Sequence, residues 1–180
     1  MKVNKIFPTE LWSDRVENYK QMNVDLLDSI YNMKDYDKRG IEISNQKGWH
    51  SNYFHTYKKS TNLQRIENII SEKINSIEFK YNLKSSLFWA NINPKGAENS
   101  IHNHRESIYS GVYYIKIPQD SGNLVLLDMY HYYLDSKEIP KYTINPEEGM
   151  LYIFRGFLPH KVEQNLSNFD RVSISFNFYE

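Results

Sequence analysis

Beyond about residue 81 the chain is a succession of short runs rich in β-branched and aromatic residues, each ended by turn-forming residues. No helical pattern lies between these runs, which argues against a parallel sheet built from βαβ units. The predicted strands are Ser86–Ile92, Ser110–Ile117, Asn123–Asp128, Met150–Phe154 and Arg171–Phe178. This part of the chain is therefore expected to form an antiparallel barrel or jelly roll.

The first 80 residues carry helical patterns instead. Apolar residues recur at helical spacing from Ser13 or Asp14 to about Met33, which predicts a first helix. The following segment, Asp35–Lys59, mixes glycine, asparagine and aromatic residues without a clear period. We expect it to be a long loop with a short strand.

A cleaner amphipathic stripe predicts a second helix over Thr61–Ser76. Thr61 and Gln64 have the spacing of a capping box at its start. Taken together, the patterns predict one mainly β domain with N-terminal helices. Residues 1–80 would form a helical part that packs on a jelly-roll core of residues 81–180.

Composition narrows the range of functions. The 180 residues contain 22 Lys and Arg and 22 Asp and Glu, and this zero net charge argues against a nucleic-acid-binding protein. Cysteine is absent, so disulfides, thiolate zinc sites, iron–sulfur clusters and thiol nucleophiles are excluded. The first ten residues lack the apolar run of a signal peptide, and no run of 18 apolar residues occurs. We therefore expect a cytoplasmic protein without a membrane segment.

Three of the six histidines are spaced as metal ligands. His102 and His104 are two residues apart, and alternate residues of a strand point to the same face. Glu106 continues that alternation, and His160 follows a predicted strand. Two ligand sets fit, namely His102, His104 and His160, or His104, Glu106 and His160. The second set is the two-histidine, one-carboxylate arrangement that favours non-haem Fe(II). Polar loop histidines are the alternative interpretation.

The last predicted strand has an apolar face and a polar face. The apolar residues are Val172, Ile174, Phe176 and Phe178, and the polar residues are Arg171, Ser173, Ser175 and Asn177. In a barrel interior, Arg171 would bind a carboxylate through two parallel hydrogen bonds, with Ser173 as a neighbouring donor. An ordinary half-exposed strand is the alternative.

The order of the motifs is more specific than any single motif. After His102-Asn103-His104 come Ser110-Gly111-Val112-Tyr113-Tyr114, Pro159-His160-Lys161-Val162 and Arg171-Val172-Ser173. In this order the sequence resembles the 2-oxoglutarate/Fe(II)-dependent oxygenases, particularly a short group with an S-G-V-Y-Y strand and a terminal R-x-S-x-S-F-N strand. The upstream Gly48-Trp49-His50-Ser51 and Trp89-Ala90-Asn91-Ile92 also resemble that group. The resemblance implies a double-stranded β-helix with Fe(II) at the barrel mouth and 2-oxoglutarate inside.

The resemblance also implies roles for individual residues. His102 or His104 would be the proximal metal ligand and His160 the distal one. Arg171, assisted by Ser173, would hold the distal carboxylate of 2-oxoglutarate. The family's chemistry implies that O2 hydroxylates a substrate while 2-oxoglutarate is decarboxylated to succinate.

The acidic ligand has several candidates. The wider superfamily has H-x-D/E, which Glu106 fits, whereas the short group has H-x-H, which points to His102 and His104. The second pattern leaves either a three-histidine site or a carboxylate from elsewhere, such as Asp128. We favour His102 and His104 with His160.

Further residues are assigned from their positions on strands. Asn91 and Tyr113 are candidates for binding the cosubstrate near the mouth, although strand residues of these types pack in the core more often. Three histidines are expected on the surface or in loops, namely His50, His55 and His131. The tyrosine-rich segment Met129–Leu134 is expected to be a lid over the site or an interface, such as that of a homodimer.

Two other function classes compete with the oxygenase. A cupin-like metal protein, either another enzyme or a small-ligand binder, shares the histidine pattern but has no general need for Arg171 with Ser173. A non-catalytic β-barrel module would keep the fold without retaining a metal. No recognised motif identifies a primary substrate.

Overall fold

The structure is a computed structural model that describes residues 9–57, 60–77, 81–134 and 137–180. The described residues form eleven strands: β1 (Leu11–Arg15), β2 (Asn45–Gln46), β3 (Trp49–His50), β4 (Ser85–Asn93), β5 (Glu98–His102), β6 (Tyr109–Lys116), β7 (Leu124–Leu127), β8 (Lys141–Ile144), β9 (Met150–Arg155), β10 (His160–Val162) and β11 (Arg171–Tyr179). All strand pairs are antiparallel. The strands form a six-stranded sheet of order β1-β9-β6-β11-β4-β3 and a five-stranded sheet of order β2-β5-β10-β7-β8.

The predicted mainly β fold is confirmed. The five predicted strands correspond to β4, β6, β7, β9 and β11, and each end agrees within one residue. The two sheets pack face to face through apolar residues and, among the described strands, do not close into one hydrogen-bonded barrel. This arrangement is the double-stranded β-helix.

Gly111, in the centre of β6, is required by close packing against the two neighbouring strands of the same sheet, β9 and β11. A Cβ atom at this position would lie 2.3 Å from Phe176 Cζ and 2.3 Å from the carbonyl oxygen of Tyr152. Any side chain would therefore push β6 away from its neighbours. This contact explains the glycine of the S-G-V-Y-Y motif.

Three α-helices are present in the described residues: α1 (Tyr19–Tyr36), α2 (Thr61–Asn75) and α3 (Met129–Tyr133). Apolar residues of α1 and α2 share one buried cluster with the apolar face of β11. Burying one leucine or isoleucine side chain contributes roughly 1.5–3 kcal/mol. Within the described residues, no helix has the length and apolar composition needed to cross a membrane.

The start of the first helix differs from the prediction. Residues Ser13 and Asp14 belong to β1, whose backbone pairs with β9 between Leu11 and Phe154 and between Arg15 and Met150. This pairing makes the segment a strand of the sheet. Helix α1 begins only at Tyr19, after Asn18, whose φ is positive. The error arose because serine and aspartate are common helix starts but also occur in edge strands.

The predicted capping box is also wrong. The residue before α2 is Ser60, and no side-chain cap hydrogen bond is seen there among the described residues. Gln64 instead donates its backbone N–H to the carbonyl oxygen of Ser60 at 3.0 Å. Helix α2 ends at Asn75, one residue before the predicted end.

The predicted loop contains more structure than expected. It includes β2, β3 and a 3-10 turn at Phe54–Thr56. Its last two residues, 58 and 59, lie outside the described residues, as do residues 1–8, for which the sequence predicts no signal peptide. Strands β5, β8 and β10 were not predicted, because they are short and carry no regular apolar alternation.

Candidate active site

A cavity of about 210 Å³ lies between the two sheets. Its lining includes the polar residues of β11, namely Arg171, Ser173, Ser175 and Asn177. The intervening apolar residues of β11 face the helices instead. The two faces that the sequence predicts for this strand are therefore an interior cavity and the helix-packed core.

Three histidines converge on the cavity wall. One ring nitrogen from each of His102, His104 and His160 lies within 4.8 Å of the other two. His102 ends β5 and His160 begins β10, and the two residues are directly paired across these strands. His104 follows β5 by two residues. The predicted all-histidine set is thus brought together by one strand pair and the turn beside it.

Two of these rings are oriented by the same kind of hydrogen bond. Nδ1 of His102 lies 2.7 Å from the carbonyl oxygen of Ser100, and Nδ1 of His160 lies 2.8 Å from that of Leu158. Because a carbonyl can only accept, each Nδ1 carries the proton and donates it. In both rings Nε2 therefore carries the lone pair that could bind a metal ion. In His102 the hydroxyl of Ser44 lies 3.4 Å from this atom, a long contact that a bound metal ion would replace.

Burial keeps the three rings neutral. Burial and, to a smaller extent, the nearby His102 and His50 lower the pKa of His104 to about 4. Burial likewise lowers the pKa of His102, and it lowers that of His160 well below the ordinary value. Neutral imidazoles are the form that binds metal ions, so at neutral pH no proton has to be displaced.

The carboxylates considered as ligands lie elsewhere. Glu106 is exposed in a turn, because β5 ends at His102 and the strand alternation does not reach it. Asp128 caps α3, where its Oδ1 accepts hydrogen bonds from the backbone N–H of His131 at 2.9 Å and from Nδ1 of that residue at 2.7 Å. Neither expectation of an acidic ligand agrees with this geometry. Among the described residues, the group suited to a metal is the three-histidine set.

Arg171, at the start of β11, is only 1% exposed. Its Nη1 donates to the carbonyl oxygens of Ser121, Gly122 and Glu163. Its Nη2 is buried and has no hydrogen-bond partner among the described residues. Burial lowers the pKa of this guanidinium, but arginine stays charged in proteins. A buried cation with unused N–H groups fits a carboxylate ligand.

The other predicted cosubstrate residues divide between the two faces of the sheet. Ser173 and Asn91 line the cavity. Tyr113 does not, because it faces the helices and donates its hydroxyl proton to Oδ1 of Asn23 at 2.6 Å. The expected role of Tyr113 at the cosubstrate is therefore wrong.

Tyr114 takes the place expected for Tyr113. Neighbouring residues of a strand point to opposite faces, so Tyr114 lines the cavity. Burial raises the pKa of Tyr114, and the guanidinium of Arg171 acts in the opposite direction from nearby. The phenol therefore stays protonated at neutral pH and can donate a hydrogen bond.

His50 was missed as a site residue. It is 3% exposed and lines the cavity, with its ring stacked on Trp89 at a centroid distance of 5.4 Å. It lies on β3, and two residues are too few to show any periodicity. The sequence signal for this position was therefore limited to the Gly48-Trp49-His50-Ser51 motif. His55 is exposed, and His131 is partly exposed beside Asp128.

Comparisons with known proteins agree with this geometry. Residues 87–177, about half of the chain, match the profile of a family described as "Putative 2OG-Fe(II) oxygenase". No curated protein sequence matches the chain.

Several solved structures share the fold. A prolyl-4-hydroxylase from Pseudomonas putida has 16% sequence identity and a TM-score of 0.70, with 94% of this chain and 92% of that chain covered. A Trichoplax adhaerens prolyl hydroxylase, in complex with a hypoxia inducible factor oxygen degradation domain peptide fragment, has 12% identity and a TM-score of 0.74, with 94% and 83% covered. HygX from Streptomyces hygroscopicus, with nickel and 2-oxoglutarate bound, has 8% identity and a TM-score of 0.67, with 95% and 83% covered.

Identities this low establish a shared fold. The family assignment depends on the profile match, which spans the strands that carry both histidine motifs and the buried arginine. The cofactor and cosubstrates of that family are Fe(II), 2-oxoglutarate and O2. The chain belongs to the 2OG-Fe(II) oxygenase family.

Proposed function

We propose that this protein is a hydroxylase that uses Fe(II), 2-oxoglutarate and O2 on a substrate not yet identified. His102, His104 and His160 hold the metal, and Arg171 with Ser173 holds the distal carboxylate of 2-oxoglutarate. The observation that carries this proposal is that one cavity contains both the three neutral imidazoles and the buried guanidinium with its unused Nη2. A cupin-like metal protein has no need for such a cation.

The donor set fits Fe(II). Imidazole nitrogen is a ligand for iron, and three protein ligands leave coordination positions open for cosubstrates. Two of the rings are already held with Nε2 unprotonated, and the long contact between the Ser44 hydroxyl and Nε2 of His102, at 3.4 Å, would give way to the metal. A metal bound here would therefore need little rearrangement of those side chains.

The far end of the cavity fits a dicarboxylate. Arg171 and Ser173 lie two residues apart on the same face of β11. Tyr114 lies near Arg171 in the same cavity, and its protonated hydroxyl adds a donor. Asn91 lines the same cavity and bonds through Nδ2 to Oγ of Ser175 at 3.0 Å. One carboxylate of 2-oxoglutarate would face these donors, and the keto-acid end would face the histidines.

When bound, the metal and cosubstrate would supply the oxidation, in which one atom of O2 would enter succinate as CO2 leaves and the other would become the hydroxyl group of the product. The residues of the chain position and shield these partners. The Nδ1 protons of His102 and His160 stay on backbone carbonyls and keep the rings in place. Arg171 compensates the negative charge of the cosubstrate, and the apolar side chains Val112, Leu124, Phe154 and Val162 reduce water around it.

Hydroxylation is the proposed reaction type. Support comes from the fold, which the chain shares with two structures named as prolyl hydroxylases. What those enzymes hydroxylate is not carried over to this chain. The primary substrate has to be found by experiment.

An anaerobic titration of the metal-free protein with Fe(II), then with 2-oxoglutarate, tests this function. We expect a saturable visible charge-transfer band of a chelated keto acid, which disappears when O2 is admitted and succinate forms. Metal binding without the band would favour the cupin-like protein. No metal binding would leave a non-catalytic β-barrel module.

A further inference from the structure

His104 differs from the other two proposed ligands in how it is held. The rings of His102 and His160 are each fixed by a carbonyl two residues earlier, whereas no protein group in the described chain forms a hydrogen bond with the ring of His104. His104 also lies beyond the end of β5, so the strand ladder does not hold its backbone. Its position has to be set by other contacts.

The backbone of His104 is held from both sides. Its N–H donates to the carbonyl oxygen of Gly156 at 2.7 Å. Its own carbonyl accepts from the N–H and from the hydroxyl of Ser107, each at 2.9 Å. A Cβ atom on Gly156 would lie 2.0 Å from Oγ of Ser107, so this close approach requires glycine. Ser107 is therefore the contact that fixes the carbonyl end of the ligand residue.

A row of polar side chains continues from Ser107 into the interior. Oγ of Ser107 lies 2.9 Å from Oγ of Ser110, and that atom lies 2.6 Å from the side-chain amide of Asn177. The other end of the amide lies 3.2 Å from the hydroxyl oxygen of Tyr179. Ser107, Ser110 and Asn177 are each no more than 5% exposed. The row connects β11 to the ligand segment through buried hydrogen bonds.

The number of protons decides the direction of this row. With the amide oxygen of Asn177 toward Ser110, two serine protons have to serve three contacts: the carbonyl of His104, the contact between the serines, and the amide. Turning the amide by 180° removes the shortage, because its two ends have nearly the same shape. Asn177 then donates to Ser110, Ser110 to Ser107, and Ser107 to His104, while the hydroxyl of Tyr179 donates to the amide oxygen.

We propose that Asn177, Ser110 and Ser107 form a directed hydrogen-bond chain that positions His104 for metal binding, with the amide nitrogen of Asn177 facing Ser110. These are positioning residues, since they act through the backbone of His104 and do not touch the metal. In a buried environment each bond of such a chain polarises the next, which stiffens the ligand it ends on. The inference rests on the proposed metal site.

Binding of Co(II) to the metal-free protein tests the chain. Its affinity is measured by calorimetry, and its visible ligand-field spectrum reports the geometry of the ligands. We expect Ser110→Ala to weaken Co(II) binding about 10–100-fold and to change the spectrum, because the Ser107 hydroxyl that orients the carbonyl of His104 loses its buried partner. Ser71→Ala is the control: this partly buried serine on α2 donates its hydroxyl to the carbonyl oxygen of Glu67 and does not line the cavity, so both readouts stay as in the unmodified protein.

Asn177→Asp tests the direction of the chain. An ionised carboxylate has the shape of the amide but cannot donate to Ser110, so we expect the same loss of Co(II) affinity as in Ser110→Ala. Retained affinity would show that the amide oxygen faces Ser110 and would overturn the proposed direction. Circular dichroism establishes that each variant is folded.

Different results would show that the proposed metal site is wrong and that the proposed positioning chain is wrong. If His104→Ala binds Co(II) as tightly as the unmodified protein, the metal site itself is wrong. If His104→Ala loses the metal while folded Ser110→Ala keeps the unmodified affinity and spectrum, the site stands and the positioning chain is overturned.

Discussion

Burial changes what an arginine side chain can do. Arg155 on β9 bonds Glu10 at 3.2 Å and lies over the rings of Trp12, Tyr81 and Tyr109, so its charge is compensated within the protein. Arg171 is more deeply buried, bonds only carbonyl oxygens among the described residues, and leaves Nη2 unused. A buried unpaired cation is costly unless an anion binds it. The contrast supports the proposal that Arg171 is the ligand-binding arginine.

Arg171→Lys is predicted to weaken 2-oxoglutarate binding while leaving Co(II) affinity unchanged. Lysine keeps the charge but loses the forked pair of donors. The loss of one charge-assisted hydrogen bond costs roughly 1.5–3 kcal/mol, which corresponds to about 10- to 150-fold in affinity. Calorimetry with the metal-loaded protein measures the affinity for 2-oxoglutarate. Arg155→Lys is the control, and equal losses in both variants would contradict the assignment.

The choice between His102 and Glu106 is also settled by single substitutions. We predict that His102→Ala and His160→Ala lose most of the Co(II) affinity, because each removes a ligand. Glu106→Ala should bind Co(II) as the unmodified protein does, because this carboxylate is exposed in a turn. A large loss in Glu106→Ala would restore the two-histidine, one-carboxylate site.

At the scale of elements, α3 is joined to the segment that carries the proposed ligands. Nδ2 of Asn103 donates to the hydroxyl oxygen of Tyr133 at 2.9 Å, and Nε of Arg105 donates to the same oxygen at 3.2 Å. The guanidinium of Arg105 also lies 4.9 Å from the centre of the tyrosine ring. Asn103 and Arg105 flank His104, so α3 supports this segment from the outside. The role of α3 as a lid or dimer interface stays a prediction.

Tyr133→Phe is predicted to lower Co(II) affinity about 2- to 10-fold, since it removes a partly exposed hydrogen-bond acceptor worth roughly 0.5–1.5 kcal/mol. The aromatic ring and its contact with Arg105 are kept. Tyr130→Phe, on the same helix and more exposed, is the matched control. Equal affinities in the two variants would show that α3 does not support the ligand segment.

At the scale of the whole molecule, β11 separates two environments. Its apolar face packs with α1 and α2 in one cluster, and its polar face lines the cavity between the sheets. The three histidines come from the five-stranded sheet and the turn after β5, and Arg171 comes from the six-stranded sheet. A ligand that contacts both therefore links the sheets.

Combined binding of Ni(II) and 2-oxoglutarate is accordingly predicted to raise the melting temperature. A ligand at 100 times its dissociation constant stabilises the folded state by about 2.7 kcal/mol, which is roughly 5–11 °C for a chain of this size. Thermal unfolding followed by circular dichroism measures the shift. In Arg171→Lys we expect 2-oxoglutarate to raise the melting temperature little beyond the effect of Ni(II). A rise equal to that of the unmodified protein would contradict the proposed link between the sheets.

Elements with strong local patterns were predictable. The strands β4, β6, β7, β9 and β11 have apolar or aromatic runs bounded by turns, and α2 has a clear stripe. The start of α1 was not predictable, because pairing of β1 with β9 overrides the local helix signal. Strands β5, β8 and β10 depend on neighbours that hydrogen-bond to them and have little pattern of their own.

The sequence by itself determined the alternation that places Arg171 and Ser173 on one face of the last strand, since this follows from strand geometry alone. The spacing of His102, His104 and His160 made them candidate ligands, but the turn after β5, and not strand alternation, brings His104 to the other two. Only the tertiary structure decided that Glu106 lies outside the cluster, that Tyr114 replaces Tyr113, and that His50 enters the cavity. These outcomes depend on where each strand ends and which face its partners cover. Pairing between residues far apart in the chain sets both, and a local pattern does not record it.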